Sequence, residues 1–486
     1  MTRGRLAVHG HFYQPSRVDP WTGRVPEEPS AAPFHDWNAR VDAECYRPNA
    51  TRSNLTRISW DLGPTLASWL AAEDPTTLAG FAAAASAGNA IAQAFHHTIL
   101  PLASAADRRT EIRWGLREFE LRFGRPASGL WLPETAVDLA TLRIAAAEGV
   151  ESTILAPWQA ADTIDSRHPY RVELGGGASI VVAFYDAGLS AAVSFEPEAT
   201  SDADRFARDR VAPRLSSPAA APGDATAADA TDGPPPLALI ATDGELYGHH
   251  QQFRDLFLQR LVAPDASAAE RREFDVVSLA DALAEADGQR HPTAKIVERT
   301  SWSCHHGVAR WSAECPDAID GRWKGPLRAA LDRLAASIDV ASGRWFADAG
   351  LDVWALRDAY VDVVVGATEP DAFASDRLPA LGAAERVRAL ELLEAQRWRL
   401  AMFASDGWFW DDPIRPETKQ ILRSAARAVR IVDEELGTAL EGRFVEDLGL
   451  FTSPSRGMTG AEIYRVALAE VGQPGPRLRR ALRRIL

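Results

Sequence analysis

Two carboxylic acids follow short apolar runs, and both have the residue type and position of catalytic groups. Glu134 comes after Gly-Leu-Trp-Leu-Pro at 129–133, and Asp243 comes after Leu-Ala-Leu-Ile-Ala-Thr at 237–242. Each apolar run predicts a strand, so we expect each carboxylate where a strand ends. A helix predicted over 136–148 would place its positive N-terminal end near Glu134, which favours the ionised form that a nucleophile needs.

Each carboxylate also has an ordinary structural interpretation. Glu134 alone could be a glutamate that begins a helix, and Asp243 with Gly244 could be a simple turn. The pair is more informative, because two carboxylates on one rim are what glycoside hydrolysis needs. One attacks the anomeric carbon, and the other protonates the leaving oxygen and then activates water.

Two histidines lie two residues apart in the N-terminal segment Val-His-Gly-His-Phe-Tyr-Gln-Pro at 8–15. In a strand, His9 and His11 would project to the same side. They could hydrogen-bond sugar hydroxyls or a nucleophile. With Asp243 and His249 they could instead hold Zn²⁺ for metal-assisted hydrolysis such as deacetylation. No His-Glu-x-x-His or Cys-x-x-Cys motif accompanies them, so we predict carboxylate chemistry without a metal or cofactor.

Two later segments combine aromatic residues with other groups that could do chemistry. Cys304 beside His305, within 301–311, suggests a nucleophilic dyad, but the partners of such a dyad usually meet across the fold rather than along the chain. We therefore predict a structural or substrate-contact loop there. The Trp-Phe-Trp sequence within 404–413 could stack on a ligand, although helix packing alone explains it better.

The elements that would position these residues follow an alternating pattern in the first half of the chain. Strands are predicted at 6–9, 129–132, 153–156 and 237–242, a hairpin at 170–174 and 179–185, and helices at 62–70, 89–103 and 136–148. Such alternation predicts a parallel α/β sheet or barrel, whose active sites lie at the C-terminal ends of strands. Later apolar spacing predicts helices at 327–340, 353–365, 383–402 and 416–436.

These elements predict three regions along the chain. Residues 1–300 are expected to form a (β/α)7-type catalytic barrel with a low-complexity insert, rich in Ala, Pro, Ser, Thr, Asp and Gly, at 212–236. Residues 301–440 are expected to form an α-helical domain that completes the cleft. Residues 441–486 are expected to form a C-terminal helical tail.

Composition limits the partners and the compartment. Lys and Arg number 53 against 67 Asp and Glu, a net charge of −14, which argues against nucleic acid or an anionic membrane as a partner. Three scattered cysteines form no disulfide framework, and no segment is typical of a signal peptide or membrane span. We therefore expect a cytoplasmic protein. Its 15 Trp suit a cleft that stacks on sugar rings.

Segments spread over residues 5–435 together resemble glycoside hydrolase family 57, and most closely an uncharacterised family-57-like subgroup. They occur in the family's order at 9–15, 46–50, 61–70, 88–93, 129–138, 241–250, 303–308 and 404–410. The resemblance implies an incomplete (β/α)7 barrel followed by an α-helical domain. It also implies a retaining mechanism on α-linked glucans: α-amylase-like hydrolysis, 4-α-glucanotransfer or branching.

The resemblance also implies roles for individual residues. Glu134 matches the nucleophile and Asp243 the general acid/base. We expect an oligo- or polysaccharide substrate, contacted by eight residues: His9, His11, Gln14, Trp131, Glu245, His249, Asp406 and Trp408. The first motif reads His-Gly-His here, where the better-known enzymes of the family have His-Gln-Pro. A metal-dependent carbohydrate deacetylase and a non-catalytic carbohydrate-binding protein on the same barrel are the alternatives.

Overall fold

The computed structural model describes residues 3–216, 235–284 and 291–471, which belong to two compact units. The first unit comprises Met1–Gln14, Glu28–Gln93 and Arg122–Trp302. The second unit comprises Pro15–Glu27, Ala94–Leu121 and Ser303–Leu486. The second unit therefore takes two segments from the first 300 residues, where we predicted one continuous region.

The first unit is built on a parallel sheet. Its strands, within the described residues, are β1 Gly4–Phe12, β2 Ser59–Leu62, β3 Ala90–Gln93, β4 Leu130–Trp131, β5 Ser152–Leu155, β6 Tyr170–Gly175, β7 Ala178–Phe184, β8 Leu237–Asp243 and β9 Phe274–Val276. The order of the main sheet is β4-β3-β2-β1-β8, and β9 also pairs with β1. A second sheet has the order β5-β7-β6, in which β5 and β7 are parallel and β6 and β7 form the predicted hairpin.

Two backbone links join these sheets. A parallel bridge between Gly129 and Ser152 connects the approach to β4 with β5. Beyond β7, the Asp186 amide donates to the Leu239 carbonyl of β8 at 2.7 Å. The two sheets are therefore connected at both edges, and the predicted incomplete (β/α)7 barrel is confirmed. Parallel strands of this kind present their C-terminal ends at one rim.

Helices of the first unit connect the strands and cover the sheet. Their bounds are Trp37–Val41, Arg47–Thr51, Pro64–Glu73, Pro75–Ala85, Leu139–Ala147, Ala187–Phe195, Ala203–Phe206, Ala212–Ser216, Arg254–Val262, Ala266–Arg271 and Leu279–Ala284. Several begin at an aspartate whose side chain accepts a backbone amide hydrogen bond, as Asp138 does from Thr141. Most of the predicted insert, residues 217–234, lies outside the described residues.

The described elements of the second unit are mainly helices. Their bounds are Ala105–Phe123, whose last two residues belong to the first unit, then Lys324–Asp348, Val353–Ala359, Val361–Val364, Pro370–Arg377, Ala383–Ala401, Asp406–Phe409, Pro416–Leu436, Leu440–Leu448 and Gly460–Ala469. Within the predicted helical tail, the described residues form the helices Leu440–Leu448 and Gly460–Ala469 with a non-helical stretch, 449–459, between them, and residues 472–486 lie outside the described residues. Among the described residues, no helix combines the length and apolarity that a membrane crossing requires.

One element of the barrel contradicts the sequence pattern. The helix predicted over 89–103 is wrong, because Ala90–Gln93 is the parallel strand β3, hydrogen-bonded between β2 and β4. Its alanine and isoleucine side chains suit a buried strand as well as a buried helix. Pairing on both sides therefore decides the conformation rather than local spacing.

Candidate active site

A single carboxylate, that of Asp61, holds both histidines of the first strand. β1 and β2 are parallel with His11 opposite Asp61. His9 Nε2 lies 3.0 Å from Asp61 Oδ1, and His11 Nδ1 lies 2.8 Å from Asp61 Oδ2. All three side chains are buried. The prediction that both imidazoles project to the same side of the strand is confirmed.

Two tryptophans pack against these imidazoles. The Trp131 ring stacks on His9 at 5.1 Å and on His11 at 4.8 Å between ring centroids. Trp302 contacts Trp131 edge-on at 5.0 Å. Trp131 has no exposed surface, so the structure gives this ring contact with the imidazoles where we predicted contact with sugar. Its packing fixes the orientation of both histidines.

His9 and His11 share one carboxylate but differ in charge. For His9, burial outweighs the attraction of Asp61 and lowers the pKa. For His11, burial acts in the same direction, but the negative charges of Asp61, Asp243 and Glu245 outweigh it and raise the pKa to about 9. At neutral pH, His11 is therefore a buried cation that faces three carboxyl groups.

Glu134 lies in a strained turn rather than beside a helix N-terminus. Pro133–Thr135 forms one 3-10 turn, in which Glu134 has a φ of 56° and Thr135 a φ of 47°. The following helix starts only at Leu139, so the predicted interaction with a helix dipole is wrong. Left-handed backbone is unfavourable for residues with a Cβ and is concentrated at functional sites.

Hydrogen bonds hold this turn and the Glu134 carboxylate. The Trp302 indole Nε1 donates to Glu134 Oε2 at 3.1 Å, and the Trp302 amide donates to the Glu134 carbonyl at 3.1 Å. The Thr135 hydroxyl and carbonyl both bond the buried Gln159 amide at 2.8 Å. The turn therefore aims the carboxylate at the cost of backbone strain, which the surrounding contacts offset.

Asp243 ends β8 as predicted, in register with His11 on β1. Asp243 is exposed to solvent, although the protein atoms around its carboxyl group reduce the hydration of that group. This crowding raises its pKa; the charges of His11 and His250 oppose the shift, and Asp61 adds to it. A raised pKa is what a carboxylic acid needs to remain protonated and act as a general acid.

Glu245 is buried beside Asp243 and binds the backbone just after the C-terminal end of β1. Its Oε1 accepts hydrogen bonds from the Tyr46 hydroxyl and, at 3.2 Å, from the Tyr13 amide. Burial raises its pKa to about 7, Tyr46 opposes this, and the nearby charge of Asp243 adds to it. Gln14, half-buried, also hydrogen-bonds the Tyr46 hydroxyl. Both predicted substrate contacts thus belong to one buried hydrogen-bond network.

His249 has a partner other than the metal we considered. Its Nδ1 pairs with the Glu44 carboxylate, and its ring packs edge-on against Trp37 at 6.1 Å. Among the described residues, His9, His11, Asp243 and His249 do not form a metal-binding group. One ring nitrogen of His9 and one of His11 is bonded to Asp61.

Asp406 and Trp408 belong to the second unit. Asp406 begins the helix Asp406–Phe409, and its substrate contact stays a prediction. Trp408 is only 1% exposed and stacks parallel to Phe403 at 6.5 Å, with the Arg328 guanidinium 5.8 Å from its ring. Core packing therefore accounts for Trp408 in this structure.

Three residues of the site were missed by sequence reasoning. Asp61 lies in the four-residue strand β2, which is too short to show a period, although a charged residue between Trp60 and Leu62 was a usable signal. Tyr46 lies in a segment that the family resemblance covers, and Trp302 lies in the predicted structural or substrate-contact loop 301–311, but no local pattern marks either ring. Their roles depend on contacts between distant segments.

The chain is similar in sequence to two family models. That of glycosyl hydrolase family 57 matches residues 36–298, more than half of the chain. That of a domain of unknown function, DUF3536, matches residues 320–471. No curated protein matches the chain in sequence.

Solved structures share the fold at low sequence identity. An exo-type maltose-forming amylase from a Pyrococcus species is 14% identical with a TM-score of 0.68, covering 99% of this chain and 94% of its own. A GH57 branching enzyme from Thermococcus kodakaraensis is 15% identical with a TM-score of 0.59, covering 98% and 96%. A 4-alpha-glucanotransferase from Thermococcus litoralis is 14% identical with a TM-score of 0.56, covering 88% and 60%.

Proposed function

Because the chain belongs to glycosyl hydrolase family 57, we propose that it cleaves or transfers α-linked glucans with a pair of carboxyl groups. The three similar structures are an amylase, a branching enzyme and a glucanotransferase by their descriptions, which supports an α-glucan substrate. The observation that carries the proposal is the contrast between its two carboxyl groups. Asp243 has a raised pKa, whereas Glu134 accepts an indole hydrogen bond in a strained turn.

The proposed reaction has two displacements at one carbon. In the first, protonated Asp243 gives its proton to the glycosidic oxygen while Glu134 attacks the anomeric carbon from the opposite face. The glycosidic bond breaks, the leaving sugar departs with the proton, and a glycosyl ester forms on Glu134. In the second, ionised Asp243 takes a proton from water or a sugar hydroxyl, whose oxygen attacks the same carbon and releases Glu134.

The charged His11 imidazole supports this exchange of a proton. Its positive charge lowers the pKa of Asp243, while crowding and the charge of Asp61 raise it. These opposed influences suit a group that is an acid in one step and a base in the next. Asp61 and Trp131 act as positioning residues, since they hold His11 by a hydrogen bond and by stacking.

Azide rescue tests the two roles separately. With an aryl α-maltoside as substrate, we expect Glu134→Gly to lose turnover and to recover it with azide, giving a β-glycosyl azide by single displacement. Asp243→Ala should still form the glycosyl-enzyme, and azide should then give an α-glycosyl azide. Glu151→Gln, an exposed change just before β5, is the control and should keep wild-type turnover.

Two results would contradict the proposal. One is an azide product of the same configuration from both variants, because the two residues would then not have opposite roles. The other is a wild-type protein that binds maltooligosaccharides and leaves them unchanged, which indicates a non-catalytic binding protein. A metal-dependent deacetylase has less support, because its four candidate ligands are not gathered in the described residues.

We also propose that the enzyme works in the cytoplasm. Its three cysteines, Cys45, Cys304 and Cys315, are buried free thiols, which suits a reducing compartment.

A further inference from the structure

Four side chains at the start of the helical unit converge, although none belongs to the site described above. Cys304, His306, Cys315 and Asp317 each offer one ligand atom, and these four atoms lie within 4.8 Å of one another. We call this group the Cys-His-Asp cluster. It lies in the second unit, whereas the carboxylates and histidines of the candidate active site lie in the first.

Four of the six distances between these atoms match the edges of a tetrahedron around one ion, and the other two are no longer than 4.8 Å. The two Sγ atoms are 3.4 Å apart, and Cys315 Sγ lies 3.7 Å from His306 Nδ1. Asp317 Oδ2 lies 3.2 Å from His306 Nδ1 and 3.9 Å from Cys304 Sγ. Zinc bonds of ~2.3 Å to sulfur and ~2.0 Å to nitrogen or oxygen give tetrahedral edges of ~3.3 to ~3.8 Å.

The loop that carries these ligands has little regular secondary structure, so a bound ion would stabilise it. Between residues 303 and 323, all of which the structure describes, the regular structure consists of the 3-10 turn Ala309–Trp311. Cys304 and Cys315 are nevertheless 3% and 1% exposed and carry no disulfide. A segment with so little regular secondary structure gains order from a cross-link between its two ligand pairs, and metal-binding free energy then adds to folding free energy.

We propose that the Cys-His-Asp cluster is a structural Zn²⁺ site that fixes this loop at the entrance to the helical unit. Two sulfurs and one imidazole select zinc over the hard cations Mg²⁺ and Ca²⁺. Four protein ligands leave no open position for substrate, which distinguishes a structural zinc from a catalytic one. Binding converts the thiols to thiolates, so protons are released to solvent as the ion enters.

The sequence contains the ligands as two pairs with one residue between partners: Cys304-x-His306 and Cys315-x-Asp317. Eight residues separate the pairs, from 307 to 314. This spacing differs from the Cys-x-x-Cys pattern of common zinc sites, so that pattern does not reveal the cluster in the sequence. The positions of the ligand atoms show that His306, rather than the neighbouring His305, is the histidine of the cluster.

Metal analysis of the whole purified protein with matched variants is the direct test. We expect one tightly bound zinc per chain in the wild type by mass spectrometry of the elements. His306→Ala and Cys315→Ser should lose most of it, while His305→Ala and Cys45→Ser should keep it. Asp317→Asn should lower zinc affinity, and Asp320→Asn, which changes a half-buried carboxylate paired with Arg322, should leave it unchanged.

A second measurement on wild-type protein keeps the test informative if a variant fails to fold. Replacing zinc by Co²⁺ should produce the thiolate charge-transfer and intense visible bands of a tetrahedral site, and a strong chelator should lower the thermal unfolding midpoint. The proposal is wrong if metal-depleted wild type does not bind Zn²⁺ in equilibrium dialysis. It is also wrong if a Cys304–Cys315 disulfide is found in protein purified without oxidant, or if His305→Ala loses as much zinc as His306→Ala.

Discussion

At the scale of single residues, charge is concentrated on buried groups around the end of the first strand. His11 and Glu245 both have folded-state pKa values above their ordinary ones, about 9 against 6.5 and about 7 against 4.5. Burial opposes the charged form of each, and carboxylates nearby favour the proton on both. Protonation of this region is therefore linked to folding.

This linkage predicts that stability falls as pH rises. The contribution of Glu245 is fully present below pH 4.5 and is lost as pH rises through about 7; that of His11 is fully present below 6.5 and is lost through about 9. We expect Glu245 and His11 together to lower the free energy of unfolding between pH 5 and 9, with Glu245 accounting for on the order of 2 kcal/mol. The lowered pKa of His9 acts in the opposite direction below pH 6.5. Urea denaturation at several pH values measures the free energy of unfolding.

Glu245→Gln separates this contribution from the rest. Glutamine keeps the size of the side chain and an oxygen for the Tyr46 and Tyr13 hydrogen bonds, but it does not titrate. The variant should therefore lose less stability than the wild type between pH 5 and 7. An unchanged pH dependence in Glu245→Gln would exclude Glu245 as the linked group.

At the scale of elements, the turn Pro133–Thr135 positions the Glu134 carboxylate but lowers the stability of the fold through backbone strain. Because Glu134 has a φ of 56°, glycine should be tolerated there better than alanine. We expect Glu134→Gly to be more stable than Glu134→Ala by about 1 kcal/mol, with catalysis lost in both. Thermal and chemical unfolding of the two variants provide the comparison.

Glu148 gives a matched control for this turn. It follows the helix Leu139–Ala147 with a φ of −89°, where glycine has no steric advantage. Glu148→Gly should therefore be no more stable than Glu148→Ala. The same order of stabilities at both positions would contradict strain at Glu134.

Helices whose ends are marked by proline or glycine were predictable from the sequence. Strands whose conformation depends on hydrogen bonds to other strands were not. The helix Pro416–Leu436 was predicted to its last residue, since Pro416 suits a first turn and Gly437, with a φ of 65°, suits a helix end. β3 was predicted as a helix because its strand conformation depends on hydrogen bonds to β2 and β4, which the local sequence of β3 does not show. Glu134 and Asp243 were located at strand ends, but the left-handed turn at Glu134 has no glycine to signal it.

At the scale of the whole molecule, the division into two units follows buried ion pairs that no local pattern shows. Asp107 lies in the segment Ala94–Leu121 of the second unit, and its carboxylate binds Arg357 at 2.9 Å and Arg399 at 2.7 Å. All three side chains are buried, so loss of one partner from the folded chain would leave an unpaired buried charge. This network explains why an N-terminal segment belongs with the C-terminal helices.

The activity that we propose for the whole chain requires two carboxyl groups that act in succession at one anomeric carbon. The most direct test is proton NMR of the first product released from a maltooligosaccharide, recorded before mutarotation. Two displacements predict that the new reducing end appears as the α-anomer and converts to the β-anomer only later. Release of the β-anomer first would show a single displacement by water and would contradict a covalent intermediate on Glu134.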